Sequence, residues 1–401
     1  MLVAVGPARS FAQKQINAMK PEEAINIEDL HQAARRRMPK VAFDYFEGGA
    51  EDERGLARNE QAFRHHRLLP RYLVDVSQID QRATLFGRTY SSPFGISPTG
   101  IGGLLHPGAD LMLAKAAAAA DIPYTLSGLS TTRLEDVARV APQHAWYQLY
   151  GARERRISED QIRRANDAGM HALMFTVDVP VFSKRERELR NRFGQPRLPL
   201  RLYLEALRHP AWLFDYFRHG MPVFENWAPY SENGSSAKSV LQSVAEQFPV
   251  ADHTWRDVEN FRRIWSRPFI LKGILHPDDA VRAAELGVDG ILVSNHGARQ
   301  LDAAPSPLEM LPAIKAAVGD RVSILVDSGF RRGSDIVIAL ALGAKFVFLG
   351  RAALYGVAAF GLPGAKHAIA IMQQEIEITL KQIGCPSLEL LGPHFLLDGG
   401  R

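Results

Sequence analysis

The stretch AAELGVDGILVSNHG (residues 283–297) joins a helix end, a glycine and a continuous apolar run. Gly287 supplies the left-handed turn that closes a helix. Residues 291–293 are apolar without alternation, which is typical of a strand buried on both faces. The same order returns in NDAGMHALMFTVD (166–178) and ALALGAKFVFLG (339–350). The repetition predicts parallel strands that alternate with helices.

Eight such strands can be counted along the chain. We predict them near 93–97, 123–126, 145–150, 171–177, 269–272, 290–295, 322–326 and 345–349. Two helix starts are also legible, one at Pro277 and one at the capping box formed by Ser306, Pro307 and Glu309. The series favours an α/β fold, a (β/α)8 TIM barrel with an N-terminal helical extension and a long insertion after strand 4. An open doubly wound sheet has the same local signature and stays open as the alternative.

Composition excludes several classes of protein. The chain has 401 residues, of which 46% are hydrophobic and 23% charged, so it is neither disordered nor mostly membrane-embedded. A net charge of +4 is too small to imply a nucleic-acid partner. The single cysteine, Cys385, excludes an internal disulfide and a cysteine-ligated zinc or iron–sulfur site. It is compatible with a reducing compartment. We predict no metal site. Without a run of 18 apolar residues, we predict no transmembrane helix.

The chain is predicted to form one barrel domain, 26–401, after a loosely ordered leader, 1–25. Helices are expected at 28–38 and 40–48. The insertion, 186–254, is too long for an ordinary loop. Its part 190–228 is rich in arginine and aromatic residues, which fits a membrane-surface segment. A lid or an oligomer contact with inward-packed aromatics explains the same composition.

In a (β/α)8 barrel the residues just past each strand face the active site. Polar residues or glycines follow all eight strands here. The candidate site residues at these strand ends, which also include one proline and one phenylalanine, are Pro98, Thr99, Gly100, Ser127, Gln148, Tyr150, Thr176, Asp178, Lys272, Ser294, His296, Asp327, Ser328, Gly329, Phe330, Arg331, Gly350 and Arg351. Glycines and arginines at the ends of strands 7 and 8, with a helix start at Gly333-Ser334, predict a phosphate site. Surface salt bridges of Arg331, Arg332 and Arg351 are the alternative.

A second sub-site is predicted around His296. A histidine can take a proton near neutral pH, and Asp178 would orient it and stabilise its charged form. Arg185 and Arg299 suit the capture of a carboxylate. Lys272 and Tyr150 join the same group.

The stretch SNHGARQLD (294–302) resembles the FMN-dependent 2-hydroxy-acid oxidase/dehydrogenase family, which includes glycolate oxidases, flavin L-lactate dehydrogenases and (S)-mandelate dehydrogenases. Supporting stretches are FDYFEGGAEDE (43–53), SPTG (97–100), YQLY (147–150), TVDVP (176–180), LKG (271–273), DSGFRRGSD (327–335) and LGRA (349–352). The resemblance runs from about residue 27 to about 390. HPAWLFDYFRHGMP (209–222), GRAALYG (350–356) and QIGCP (382–386) are most similar to the mandelate dehydrogenases.

The resemblance implies FMN as cofactor and assigns roles. His296 would be the base and Asp178 its partner, Arg185 and Arg299 would hold the substrate carboxylate, and Tyr45 and Tyr150 would contact the substrate. Lys272 would stabilise reduced flavin. The isoalloxazine and ribityl parts would meet Pro98, Thr99, Gly100, Ser127, Gln148, Thr176 and Ser294, and residues 327–331 with Gly350 and Arg351 would hold ribityl and phosphate. Leu129 stands where glycolate oxidase has a tryptophan in the substrate pocket, and Gly100 where it has alanine.

The function expected is oxidation of an (S)-2-hydroxy acid, mandelate-like or L-lactate, with electrons passed to a quinone or other membrane acceptor. The protein would be a cytoplasmic homotetramer, peripheral on the inner face of the membrane through 190–228. A soluble oxidase that reduces O2 to H2O2 is the main alternative. A flavin isomerase fits poorly with Arg185 and Arg299 beside His296, and a non-catalytic flavin scaffold fits poorly with the complete catalytic set. Hydride and carbanion routes both remain open.

Overall fold

The computed structural model describes residues 19–194, 199–232, 234 and 236–397. Its centre is a closed barrel of parallel strands, numbered here β1 to β8. They are β1 (Phe94–Ile96), β2 (Tyr124–Ser127), β3 (Ala145–Tyr150), β4 (Leu173–Thr176), β5 (Phe269–Ile274), β6 (Gly290–Val293), β7 (Ser323–Val326) and β8 (Phe346–Leu349). Each strand pairs with the next, and β8 pairs with β1. The closed ring confirms the predicted barrel and excludes the open sheet.

Helices surround the barrel and extend it at the N-terminus and after β4. They are α1 (Ile27–Arg37), α2 (Lys40–Glu47), α3 (Arg54–Gln61), α4 (Gly102–Leu105), α5 (Ala109–Ala119), α6 (Leu134–Val140), α7 (Arg155–Asp167), α8 (Glu186–Arg190), α9 (Leu200–Ala206), α10 (Pro210–His219), α11 (Ala237–Gln247), α12 (Trp255–Ile264), α13 (Pro277–Glu285), α14 (Pro307–Val318), α15 (Gly333–Ala341) and α16 (Arg351–Ile383). In the described residues, no helix is both long and apolar enough to span a membrane.

Local sequence rules explain the strand–helix units. Gly169, Gly287 and Gly343, which follow α7, α13 and α15, all have positive φ, as the sequence predicts for helix closure. The following strands β4, β6 and β8 are buried along their whole length. The predicted capping box is present at Ser306, with Pro307 in the first turn of α14.

A hairpin of two short strands, Ala83–Leu85 and Arg88–Tyr90, covers the N-terminal end of the barrel. Its Leu85 and Tyr90 pack against Trp146, Phe346 and Phe348 inside the ring. Leu85, Phe346 and Phe348 are fully buried, and each contributes about 1.5–3 kcal/mol. This end is therefore sealed by core packing, and the polar strand ends lie at the other mouth.

The N-terminal extension lies on α16 and reaches the barrel mouth. Helices α1 and α2 match the predicted pair closely, whereas α3 was not predicted. Of the predicted leader, residues 1–18 lie outside the described part. Residues 21–23 form a 3₁₀ turn, and Ala24 is buried with its carbonyl bonded to Nε2 of His367 at 2.7 Å. The packing of Ala24 makes the extension begin earlier than the predicted boundary at residue 26.

The insertion is helical and docks on the barrel at two places. Trp227 is fully buried and its Nε1 donates to the Gly128 carbonyl at 3.0 Å. Trp212 Nε1 donates to the Leu104 carbonyl at 2.9 Å, which holds α10 on α4. Phe214 and Phe217, in contrast, are 63% and 79% exposed. The aromatics of 190–228 are thus divided between inward packing and exposure, and Arg197 lies outside the described residues.

Candidate active site

His296 and Asp178 form a hydrogen-bonded pair at the C-terminal mouth of the barrel. Asp178 follows β4 and His296 follows β6, and Nδ1 of His296 lies 2.9 Å from Oδ1 of Asp178. Nε2 of His296 lies 3.4 Å from the hydroxyl oxygen of Tyr150, which is the last residue of β3. The bond to Asp178 fixes the proton on Nδ1, so Nε2 is the nitrogen that can accept a proton.

The backbone around His296 is unusual. His296, Gly297 and Ala298 all have φ near +60°. The main-chain N–H of His296 donates to Ser294 Oγ, and that of Gly297 donates to Ser328 Oγ, each at 3.0 Å. Glycine adopts this conformation freely, but at His296 and Ala298 it is costly and persists only when the surroundings hold it. The imidazole is therefore placed by its main chain as well as by Asp178.

The ionisation of this pair follows from burial and neighbouring charge. Burial lowers the pKa of His296 below its usual 6.5, the Asp178 carboxylate opposes this, and the charge of Lys272 adds to it. Burial alone would raise the pKa of Asp178, but His296 and Lys272 hold it below 3.8. At neutral pH the pair is therefore a neutral imidazole beside a carboxylate.

Lys272 is almost fully buried within β5, two residues before the strand ends. Its Nζ donates to Ser294 Oγ at 2.9 Å and lies 4.0 Å from Asp178 Oδ2 and 3.7 Å from Asp327 Oδ2. Gly273 has φ +104°, and a Cβ there would lie 2.4 Å from Cβ of Asp178. Only glycine allows the two strands to bring lysine and aspartate this close. The glycine that follows Lys272 in the sequence LKG (271–273) is thus explained by its close approach to Asp178.

Arg185 and Arg299 lie side by side, as predicted, under the N-terminal extension. Nη1 of Arg299 donates to the carbonyls of Tyr45 at 2.6 Å and Gly48 at 2.8 Å. Nε of Arg185 donates to the Arg299 carbonyl at 3.1 Å. Burial and the charge of Arg299 lower the pKa of Arg185. Two largely buried guanidinium groups therefore lie close together, and arginines so placed suit an anion.

Tyr45 and Tyr150 flank this anion site. The guanidinium of Arg299 lies 5.1 Å from the ring centre of Tyr45, and burial raises the pKa of both tyrosines. The Tyr150 ring lies 4.6 Å from that of Phe248, which lies 5.7 Å from that of Phe182. Phe248 of the insertion and Phe182, which follows β4, therefore border the His296 region, which the sequence had not indicated.

A chain of polar groups crosses the ends of β2, β3 and β4. Gln148 Nε2 donates to Thr176 Oγ1 at 2.9 Å, and Ser127 Oγ donates to Gln148 Oε1 at 3.1 Å. Gly100, after Pro98 and Thr99 at the end of β1, approaches Leu129 so closely that a Cβ would lie 3.3 Å from the Leu129 Cβ. These residues lie on one rim, as predicted.

The ends of β7 and β8 are only partly as predicted. Asp327 accepts from Ser97 Oγ at 3.0 Å and from Ser328 Oγ at 2.9 Å. Gly329 has φ +90°, and a Cβ there would lie 2.4 Å from the Asn59 carbonyl oxygen. The Phe330 ring is buried against Phe63, so its main chain alone can face a ligand.

The helix start at Gly333-Ser334 is a correction. Gly333 N–H donates to Glu375 Oε2 at 2.7 Å, and the preceding N–H of Arg332 donates to Asp335. The Arg332 guanidinium also pairs with Glu375. Carboxylates of the protein already occupy this helix N-terminus, so it is not the phosphate position, and Arg332 belongs to a surface salt bridge.

The N-terminus of α16 offers anion-binding groups instead. In the described chain, the N–H groups of Gly350, Arg351 and Ala352 have no protein acceptor. The Arg351 side chain donates to the carbonyls of Phe46 (2.8 Å), Gly48 (2.9 Å) and Gly297 (3.1 Å), and burial lowers its pKa to about 10. Arg331 lies nearby and pairs with Glu60 at 3.0 Å.

Two contacts at the site come from residues that the sequence did not indicate. Asn59 of α3 and Asn295 exchange side-chain hydrogen bonds of 3.0 and 2.6 Å. Glu188 of α8 contacts both Arg299 and Arg185. Neither Asn59 nor Glu188 follows a barrel strand, so the strand-end rule could not find them. Among the described residues no three His, Cys, Asp or Glu side chains form a metal-holding group.

Comparisons with known proteins show the family of the chain. The family model described as FMN-dependent dehydrogenase matches residues 34–398. The chain is 42% identical to (S)-mandelate dehydrogenase of Pseudomonas putida, covering 94% of this chain and 95% of that protein. It is 40% identical to L-lactate dehydrogenase of Caulobacter sp. (strain K31), covering 93% and 98%.

Solved structures give the same result. The crystal structure of the monotopic membrane protein (S)-mandelate dehydrogenase superposes with a TM-score of 0.90 at 42% identity. The match covers 94% of this chain and 99% of that one. The likeness therefore includes the N-terminal extension and most of the insertion as well as the barrel.

Proposed function

Because the chain belongs to the family of FMN-dependent dehydrogenases and oxidises 2-hydroxy acids with FMN, we propose that His296 is the base of that reaction. The substrates proposed are (S)-2-hydroxy acids that are mandelate-like, or L-lactate. The observation that carries the proposal is the 2.9 Å bond between Nδ1 of His296 and Asp178. It leaves Nε2, on a neutral imidazole, as the proton acceptor.

The substrate carboxylate would dock on Arg185 and Arg299. Both guanidinium groups are largely buried, so a bound carboxylate would be shielded from water and strongly held. The Tyr150 hydroxyl, which lies 3.4 Å from His296 Nε2, would donate to the substrate hydroxyl oxygen. These contacts would turn the hydroxyl-bearing carbon toward His296.

The proton that the substrate loses, from its hydroxyl group in the hydride route or from its α-carbon in the carbanion route, would then pass to Nε2 of His296. The Asp178 carboxylate stabilises the resulting imidazolium, because its charge is in direct contact with Nδ1. Asp178 would stay ionised throughout, since its own pKa is held low by His296 and Lys272. The 2-oxo acid leaves when its carboxylate departs from the arginines.

The donor groups of the mouth fit FMN. Lys272 is a buried cation beside the strand ends, and the free N–H groups at the start of α16 suit a phosphate. Ser127, Gln148, Thr176 and Ser294, with residues 98–100, would hold the ring system and ribityl chain. Asp327–Arg331, Gly350 and Arg351 would hold the phosphate end. When bound, FMN accepts the two electrons that leave the substrate.

The reaction itself is tested by anaerobic mixing of the yellow protein with (S)-mandelate, L-lactate and glycolate. Bleaching of the flavin absorbance by mandelate or lactate is expected, and no bleaching by any of the three would refute the proposal. His296→Gln should abolish bleaching while FMN stays bound, because the phosphate end is separate. Loss of FMN in this variant would show that His296 has been misassigned.

The electron acceptor proposed is a quinone or another acceptor in the membrane. Support comes from α9 and α10, whose Leu204, Phe214 and Phe217 are all more than half exposed. Arg201, Arg208 and Arg218 are exposed on the same helices or beside them. Apolar and basic side chains together suit the surface of an anionic membrane. The protein would then lie peripherally on the inner face of the cytoplasmic membrane.

Point variants test this surface. Replacing Leu204, Phe214 and Phe217 by serine should abolish co-sedimentation with vesicles that contain anionic lipid, and leave dye-linked activity intact. Leu390→Ser, a change of an exposed apolar residue outside the insertion, is the matched control. If the triple variant still sediments, the membrane assignment is wrong. Rapid reoxidation in air with stoichiometric peroxide would favour the soluble oxidase instead.

A homotetramer is proposed as the assembly. Exposed apolar residues outside the insertion, Leu69, Tyr72 and Leu73, lie together in the loop before the hairpin. A patch of this kind is typical of a protein–protein contact. Light scattering should give four times the 44.5 kDa chain mass, and a monomer would refute the assembly.

A further inference from the structure

The Glu188 carboxylate lies between the two arginines of the proposed anion site. Its Oε1 is 3.0 Å from Nη2 of Arg299 and 3.7 Å from Nη1 of Arg185. All three side chains are largely buried. Glu188 thus contacts both guanidinium groups in the way proposed for a substrate carboxylate.

Neutral acceptors already engage two nitrogens of Arg185 and one nitrogen of Arg299. Nη1 of Arg299 bonds the carbonyls of Tyr45 and Gly48. Nε of Arg185 bonds the Arg299 carbonyl, and its Nη2 bonds Gln300 Oε1 at 3.2 Å. In the described part of the chain, besides Nε of Arg299, the guanidinium nitrogens without a neutral acceptor are Nη2 of Arg299 and Nη1 of Arg185. These are the two atoms that face Glu188.

The main chain that carries Glu188 is firmly tied. The Glu51 N–H donates to the Lys184 carbonyl at 2.8 Å before α8. After α8, Asn191 Nδ2 donates to Asp44 at 2.7 Å, and Phe193 stacks on Tyr45 at 4.5 Å. Helix α8 is fixed at both ends, so the main chain keeps Glu188 beside the two arginines.

We propose that Glu188 is an internal anion that competes with the substrate carboxylate for Arg185 and Arg299, and so sets the affinity of the enzyme for 2-hydroxy and 2-oxo acids. The proposal rests on the anion site of the proposed function. The Glu188 carboxylate has the same charge as the substrate carboxylate, and both would bind the same guanidinium nitrogens. By weakening the hold on the 2-oxo acid, which also carries a carboxylate, Glu188 favours product release.

The test is Glu188→Gln, which keeps the shape of the side chain and an oxygen acceptor but removes the charge. With unit charges about 5 Å apart and an effective dielectric constant near 20, KM for the 2-hydroxy acid should fall by roughly two orders of magnitude. The dissociation constant of the 2-oxo acid, measured by calorimetry on the FMN-bound enzyme, should fall by a similar factor. KM for the methyl ester of the same acid, which has no carboxylate, should not fall.

Glu186→Gln is the matched control, since Glu186 lies on the same helix and pairs with Lys184 and Arg190. Glu188→Asp, which keeps the charge, should leave KM close to that of the parent enzyme. A rise in KM in Glu188→Gln would mean that Glu188 positions the arginines, and would overturn the proposal. Unchanged affinity would overturn it as well. In both cases oxidation of 2-hydroxy acids would stand, whereas absence of that activity in the parent would refute the proposed function itself.

Discussion

Replacing Asp178 by asparagine tests the central pair most directly. The substitution keeps the shape of the side chain but removes a charge whose oxygen lies 2.9 Å from Nδ1 of His296. With the charge centres about 4 Å apart and an effective dielectric constant near 20, the imidazolium loses about 4 kcal/mol of stabilisation. The amide retains part of it, so we expect a net loss of about 3 kcal/mol, or roughly two orders of magnitude in kcat/KM.

The pH dependence gives a second measurement on the same variant. Catalysis needs neutral His296, so kcat/KM falls as the pH drops through the pKa of His296, which burial places below 6.5. Asp178 raises that pKa, so Asp178→Asn should move the acid limb to lower pH. Stopped-flow flavin reduction from pH 5 to pH 8 measures both effects.

Asp302→Asn is the control for this experiment. Asp302 is also buried, but its carboxylate accepts from the N–H groups of Arg54 and Gly55 rather than from His296. Its variant should leave the acid limb in place. A loss smaller than tenfold in Asp178→Asn, or an acid limb that does not move, would refute the role given to the carboxylate.

Three other changes have defined outcomes. Leu129→Trp should lower kcat/KM for mandelate more than tenfold and leave kcat/KM for glycolate unchanged, because an indole ring beside Gly100 would take up space at the barrel mouth that the phenyl group needs. Equal losses for both acids would contradict this. Trp227→Ala should reduce the free energy of unfolding by about 3–5 kcal/mol in urea titrations, since the indole is fully buried; a change below 1 kcal/mol would contradict it. Gly329→Ala should lower FMN occupancy, because a Cβ would lie 2.4 Å from the Asn59 carbonyl oxygen; unchanged occupancy would show that the loop adapts.

The barrel could be predicted because its signals are local. A glycine that closes a helix and a continuous apolar run are properties of a dozen neighbouring residues, and Gly169, Gly287 and Gly343 each have the expected positive φ. His296 and Asp178 were found for the same reason, since the fold places all strand ends at one mouth. The hairpin of Ala83–Leu85 and Arg88–Tyr90 was not predicted, because strands of three residues are too short to give a clear periodic signal.

What could not be predicted depends on tertiary packing. Glu188 lies in the insertion, and nothing in its own segment indicates that α8 packs against the arginines. The helix start at Gly333 looked like an anion site from its sequence, but Glu375, forty-two residues later, takes its N–H group. The Arg351 side chain bonds main-chain carbonyls, which have no signature in the sequence.

The carbonyl of Gly48 receives hydrogen bonds from both Arg299 and Arg351. During synthesis on the ribosome, the extension that carries Gly48 emerges long before either arginine has been made. The extension therefore cannot form the hydrogen bonds of Gly48 to Arg299 and Arg351 until most of the chain has left the ribosomal tunnel. A nascent barrel has no finished anion pocket, and the enzyme acquires its binding competence as one of the last events of its maturation.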